Sequence, residues 1–254
     1  MLETSTIVRA RDFRTRWLHR RATELGEPWR MHRKLWEFAQ IAQVYAERLV
    51  FGGRVLGFGV GREPLPAWFA CRGADVVATD RPDAAPEWAD TGQWARGLDD
   101  LRRPWCPDAV FTNRVRFEPV DMNAIPFHLR DFDLTWSCGS FEHIGGFDQS
   151  IEFFSRQMQC LCRGGLAVHT TEYAPQNDQP TLNAPTLVSF RLQELQRLID
   201  RVTADGGEFF PLDVVPGDEP EDLRIDVEPY TPEHLSLRIG HCVTTSIVLI
   251  AQKI

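Results

Sequence analysis

An α/β fold with a mostly parallel, doubly wound sheet is what this sequence predicts, and three observations predict it. Short apolar runs alternate with helix-period segments over about two hundred residues. The first run, "RVLGF", leads directly into Gly57, Gly59 and Gly61. The second, "GADVVATD", ends on Asp80. A strand, a glycine-rich turn, a helix and a strand tipped by an acid open a nucleotide-binding unit.

The elements follow in chain order. A helix is expected within Arg11 to Leu25, stopped by Gly26-Glu27-Pro28. A second starts near Leu35, where Leu35, Phe38, Ala42, Tyr45 and Leu49 recur at amphipathic helical spacing. Both precede the first strand and have no sheet of their own, so residues 1–50 are read as a helical cap on a main domain over 51–254. Pro64 suits the first turn of the helix after the glycines. A Pro-rich insertion between Arg81 and Pro107 carries Trp88, Trp94 and Trp105, with a helix expected around Thr91 to Leu101. "VRFEPVDMN" is the third strand and "FDLTWSCGS" the fourth. The next helix takes Asp148 as N-cap and stops at Gly164-Gly165, before a fifth strand, "LAVHTTEY". "SFRLQELQRLIDRVTADGG" is a further helix, "EFFPLDVV" a sixth strand, and "CVTTSIVLIAQKI" a β-branched last strand. The acidic "PGDEPEDLRIDVEPYTPEH" before it reads as a long loop.

Composition narrows the classes. With 254 residues and 43% hydrophobic content, the chain suits one large domain with some elaboration. No window approaches about eighteen uninterrupted apolar residues, and the opening "MLETSTIVRARDFRTRW" is polar and arginine-rich. A cytoplasmic protein with no membrane partner is expected. The cysteines at 71, 106, 138, 160, 162 and 242 form no CxxC pair, so they read as small apolar residues, with neither a zinc site nor a disulfide framework. A net charge of -8 argues against a general nucleic-acid binder. The first fifty residues are nevertheless rich in base, including Arg9, Arg11, Arg33 and Lys34: either a solvated helical face or a basic lid that meets an anionic substrate group.

In such a sheet, ligands lie beyond the carboxyl ends of the strands, which singles out Gly57 to Glu63, Asp80, Asp121 to Asn123, Ser137 to His143, and Thr171 to Tyr173. Glycines let the backbone turn sharply and approach a ligand. Asp80 can accept hydrogen bonds from a ribose diol, and Asp121 from an exocyclic amine. The spacing GxGxG followed by Arg62-Glu63-Pro64 departs from the dinucleotide pattern and sets a carboxylate at the mouth of the helix. A pyrophosphate is badly served there, whereas a cationic or zwitterionic nucleoside such as S-adenosyl-L-methionine fits.

Arg54 to Asp80, then "VDMNAIP", "FDLTWSCGSFEHIGG" and "TTSIVLI" resemble, in order, the successive motifs of class I S-adenosylmethionine-dependent methyltransferases. The resemblance covers roughly residues 50 to 254. It implies a Rossmann-like, seven-stranded sheet of order 3-2-1-4-5-7-6 with helices on both faces and one antiparallel strand. It further implies S-adenosyl-L-methionine as cofactor, with Gly57, Phe58, Gly59 and Gly61 at the methionine end, Asp80 and Arg81 at the ribose, and Asp121, Met122 and Asn123 at the adenine. Gly57 stands where the family has an acid and Glu63 where it has a third glycine. Glu63, or a residue of the fourth-strand loop with Ser137 and Cys138, then meets the cofactor's ammonium.

That loop lies beside the methyl group in enzymes of this type. His143 is its one neutral-pH base, so two readings stand: His143 takes a proton from a hydroxyl acceptor, tuned by Glu142, or the pair merely opens a helix and bonds backbone and cofactor. The pair is also similar to the metal-binding ExxEH pattern of ubiquinone-pathway O-methyltransferases, but Gly139 occupies the first acidic position and no metal is expected. Glu172 and Tyr173 either touch substrate or cap the next helix, and His169 reads as a core residue. The three insertion tryptophans form either an aromatic wall or a satellite core, and Thr91-Gly92-Gln93 is placed to reach the cofactor. The expected function is methylation, at oxygen, of a small molecule or glycan. Its rivals are a non-catalytic nucleoside-binding module of the same fold and an NAD(P)-dependent oxidoreductase.

Overall fold

In the computed structural model, which describes residues 4–49, 52–81, 93–175 and 181–254, the apolar runs pair into one large sheet. Its strands begin with β1 (Ser5–Ile7), β2 (Arg54–Gly57), β3 (Asp75–Asp80), β4 (Val115–Pro119), β5 (Phe132–Cys138) and β6 (Leu161–Tyr173). A separate hairpin follows, β7 (Asn183–Ala184) with β8 (Leu187–Val188). The sheet then resumes with β9 (Gly207–Phe209), β10 (Leu212–Asp213), β11 (Ile225–Asp226), β12 (Ser236–Ile239) and β13 (Cys242–Lys253). The spatial order is β10-β1-β13-β6-β5-β2-β3-β4, with β9 and β12 also on β13 and β11 on β12. Strands β2 to β6 run parallel and β13 antiparallel to β6. The chain reverses its lateral direction at β2, between β3 and β5. In an open sheet the ligand crevice forms at such a switch point.

The helices are α1 (Arg16–Leu25), α2 (Arg33–Arg48), α3 (Leu65–Cys71), α4 (Leu98–Leu101), α5 (Asp108–Arg114), α6 (Phe147–Gln157), α7 (Leu192–Ala204) and α8 (Pro220–Leu223). The two-residue period of β13 shows how they are layered. Val248 and Ile250 join the core under α1, α2 and α3, while Ile247, Leu249 and Ala251 join the core under α6 and α7. Both faces are therefore covered, which explains why the strands read as continuous apolar runs rather than alternating ones. None of the described helices is long and apolar enough to cross a membrane.

Several sequence expectations change in the structure. The sheet holds 11 strands among the described residues, against the seven expected. One addition is β1, which pairs with β13 and β10, so that residues 1–50 supply a sheet strand as well as the helices α1 and α2. The expected sixth strand divides at Phe210-Pro211 into β9 and β10. The expected acidic loop contains α8, closed by reciprocal bonds between Glu219 and Asp222, and β11, whose Asp226 accepts from the Thr231 amide at 2.7 Å. Helix α6 is N-capped by Gly146 rather than Asp148 and ends at Gln157, and Leu161 already pairs with Phe132. Gly164 and Gly165 instead lie in β6, where the register shifts before Leu134 meets Leu166. A Cβ at Gly165 would press on the carbonyls of Phe132 and Cys162 at 2.9 and 3.0 Å, so glycine accommodates an irregular strand there rather than stopping a helix. Helix α4 occupies the C-terminal part of the segment expected to be helical; Thr91, Gly92 and Trp88 lie outside the described residues.

Candidate functional site

At the carboxyl ends of β2 to β5 opens a cleft of about 640 Å³. Its walls carry Gly59, Gly61, Glu63, Asp80, Arg81, Asp121, Met122, Asn123, Cys138 and His143 of the predicted residues. Gly57, Phe58, Ser137, Glu142, Glu172 and Tyr173 are off the wall. Gly57 is needed for packing: a Cβ there would run into the Trp136 indole. Phe58 is buried against Phe153, and Ser137 bonds the core imidazole of His169 at 2.7 Å. His169 is fully buried, and burial pushes its pKa down to about 3, as its reading as a core residue requires.

The turn after β2 requires glycine. Gly59 and Gly61 have φ of +57° and +51°, and a Cβ at Gly59 would meet Met122 at 2.7 Å and Ser140 at 2.9 Å. Glu63 then turns inward: its Oε1 accepts from Trp136 Nε1 at 2.5 Å, and burial raises the carboxyl pKa to about 8. The charge that the sequence placed at the helix mouth is therefore largely absent at neutral pH. Two prolines now limit that helix end instead. Pro64 and Pro66, flanking the first residue of α3, have no N–H to offer an anion.

Asp80 is buried at the tip of β3. Its Oδ2 accepts from the Gly61 and Ala95 amides at 3.0 and 3.1 Å, and its Oδ1 from the Arg81 amide at 2.9 Å. Burial raises its pKa and these amides oppose the rise. The carboxylate thus joins the glycine turn to the C-terminal half of the insertion. Trp94 of that segment lines the cleft and donates to the Arg81 carbonyl at 3.1 Å, while Trp105 packs near Gly26, away from the wall. Gln93 also lines the cleft. Asp121 caps a short turn, Met122–Ala124, through the Asn123 amide at 2.9 Å.

His143 is oriented by a backbone carbonyl. Its Nδ1 lies 2.6 Å from the Thr186 oxygen in the β7–β8 turn, and a carbonyl only accepts, so Nδ1 carries the proton and Nε2 the lone pair. Burial lowers the imidazole pKa, leaving it neutral at neutral pH. Glu142 Oε1 is 4.0 Å from Nε2, at ion-pair rather than hydrogen-bonding distance. The Glu142 carboxyl is buried, accepts from Thr171 at 3.3 Å, and is pushed up to about 8 by burial and by Glu172.

Beside the cleft lies an ionic cluster built between α2 and β6. Arg33 forms a bidentate pair with Glu172 at 2.6 and 2.5 Å, which ties Glu172 of β6 to α2 rather than to the cleft. Lys34 pairs with Glu37 at 2.8 Å and reaches the wall. Burial opposes the charge on Glu37, but Lys34 and Arg33 outweigh it and hold its pKa down to about 2. Of the basic residues noted at the N-terminus, Lys34 is the one that meets the cleft. Sequence reasoning missed the wall contacts from Phe38, Pro185 and Thr186. The apolar periodicity of α2 contained Phe38 without indicating which side it faces. Among the described residues no group of three or more His, Cys, Asp or Glu side chains is disposed to hold a metal.

No protein-family model and no curated protein matches the chain. Solved structures do. The [4+2]-cyclase SpnF aligns with a TM-score of 0.53 at 18% identity, over 93% of this chain and 94% of that one. Magnesium protoporphyrin IX methyltransferase from Synechocystis, with S-adenosylmethionine bound, gives 0.51 at 11% identity over 94% and 85%. An S-adenosylmethionine-dependent methyltransferase from Mesorhizobium loti gives 0.51 at 16% identity over 80% and 92%. The chain thus has the fold of the class I S-adenosylmethionine-dependent methyltransferases. A protein of that fold named as a cyclase shows that the reaction must be argued from the site.

Proposed function

We propose that the protein is an S-adenosyl-L-methionine-dependent methyltransferase acting at a hydroxyl of a small molecule or glycan. The observation that carries this reading is the convergence of Asp80 and Asp121, from the ends of adjacent parallel strands, on a cleft whose glycine turn leaves its backbone bare. The cleft volume lies in the range of small-molecule sites. Among the described residues Asp80 Oδ1 accepts only from Arg81, which leaves a lone pair for a ribose hydroxyl. Asp121 and Met122 would receive the adenine, and Gly59 and Gly61 the methionine portion. The prolines at the start of α3 disfavour a pyrophosphate, and with it a nicotinamide dinucleotide.

Bound there, the cofactor supplies an electrophilic methyl group. The chain's task is to align the acceptor and remove its proton. His143, neutral and with its tautomer fixed by Thr186, is the group on the wall suited to take a proton at Nε2. The test is turnover: purified protein with isotopically labelled S-adenosylmethionine and a panel of phenols, hydroxy acids and sugars, scored for labelled product. Transfer to a hydroxyl supports the proposal. Binding of the cofactor without transfer to any class would favour the non-catalytic module.

A further inference from the structure

Two thiols meet where the insertion returns to the sheet. Cys71, the last residue of α3, is exposed, and Cys106, just before α5, is buried. Both are free, and their sulphurs lie 3.1 Å apart. The other four thiols contact different groups: Cys138 the Glu37 carboxylate, Cys160 the Arg130 guanidinium, Cys162 the Asp133 carboxylate, and Cys242 a backbone carbonyl. Sequence separation hides the pair, because 35 positions divide its members.

Of the chain between them, the segment 93–105 runs beside the cleft and leads into Cys106. Its Ala95 amide bonds Asp80, its Gln93 carbonyl lies against Gly61, and Trp94 lines the wall. Asp100 pairs with Arg62 at 3.2 Å, and Arg103 donates to the Arg62 carbonyl. These are polar contacts at the surface, each of modest strength.

We propose that Cys71 and Cys106 are a disulfide-forming pair that, when oxidised, staples residues 93–105, beside the cleft, to α3. A small-molecule disulfide such as glutathione disulfide is the oxidant. The exposed Cys71 thiolate attacks it, forming a mixed disulfide and releasing one glutathione thiolate. Cys106 then displaces the second glutathione, so the two cysteine protons and the electron pair end on two reduced glutathiones. Burial and the neighbouring Cys71 push the Cys106 thiol up to about 12. Closure needs the sulphurs to approach by about 1 Å. The bond would then anchor the segment at Cys106 as Asp80 anchors it at Ala95. This inference is independent of which ligand the cleft takes.

The experiment is oxidation of the full chain with glutathione disulfide, followed by non-reducing peptide mapping and thermal melts. The expected product is about 2 Da lighter, contains a Cys71–Cys106 linked peptide, and reverts with dithiothreitol. Its Tm is expected to rise by about 5 °C over the reduced protein, because the bond restrains a long loop in the unfolded chain. Cys71→Ser, at an exposed position, should fold normally and abolish the linked peptide and the Tm rise. Cys106→Ser should instead accumulate a glutathione adduct on Cys71. A stable adduct on Cys71 in the wild type, linkage between other cysteines, or no reaction would overturn the proposal.

Discussion

The side chain proposed as the base is His143. With Nδ1 donating to Thr186 and burial disfavouring the cation, its imidazole is neutral at neutral pH. The acid-side loss of transfer rate should therefore have its midpoint below 6.5, the ordinary histidine value. His143→Ala should leave S-adenosylmethionine affinity near the wild-type value and slow transfer by about two to four decades, checked by single-turnover kinetics. An unchanged rate would remove the base role. Asp80→Ala should weaken cofactor binding by about 1 to 3 kcal/mol in calorimetric titration, and it also strands the Gly61 and Ala95 amides, so a loss of stability is expected with it. Glu63 acts on stability. Its pKa is raised from 4.5 unfolded to about 8 folded, so the folded state holds a proton that the unfolded chain has released. Its stabilising contribution is present in full below pH 4.5 and lost as pH rises through about 8. Glu63→Gln keeps an acceptor for Trp136 and removes the titration; its melting temperature should gain on the wild type between about pH 5 and about pH 9. Parallel Tm profiles for the two proteins would contradict the assignment.

At the scale of elements, strand ends were the legible part of the site. Gly59, Gly61, Asp80 and Asp121 each follow an apolar run directly, and the carboxyl end of a parallel strand is where a ligand is met. Residues reaching the cleft from elsewhere left no such mark. Lys34 and Phe38 come from a helix whose apolar period shows that it packs without showing on what, and Thr186 sits in a turn between two-residue strands too short for any period. Gly57 looked like part of the ligand turn, but its bare Cα is required by Trp136, which packs from the neighbouring strand β5. Gly57→Ala should therefore destabilise the fold by about 1 to 3 kcal/mol through overpacking, seen as a lower denaturation midpoint in urea with little change in m-value. A variant as stable as wild type would mean that Trp136 can shift at no cost.

For the whole molecule, alternating strands and helices were enough to predict the doubly wound sheet, because burial on both faces writes itself into the composition of each run, whereas the antiparallel strand was expected only from the resemblance to the methyltransferase family. The extra strands were not legible. Strand β1 offers three residues and β12 four, and the rest divide at a proline or sit in an acidic stretch ordered by side-chain bonds such as Asp226 to Thr231. Long-range partners decide such pieces, and local pattern does not. The same holds for the ionic cluster, in which Arg33 and Glu172 meet across 139 positions. The central claim concerns which nucleoside the switch-point cleft accepts. The direct measurement is parallel calorimetric titration of the purified chain with S-adenosylmethionine, S-adenosylhomocysteine and NAD. Micromolar binding of the first two, with none of NAD, is the predicted result; binding of NAD alone, or of none of the three, would contradict it.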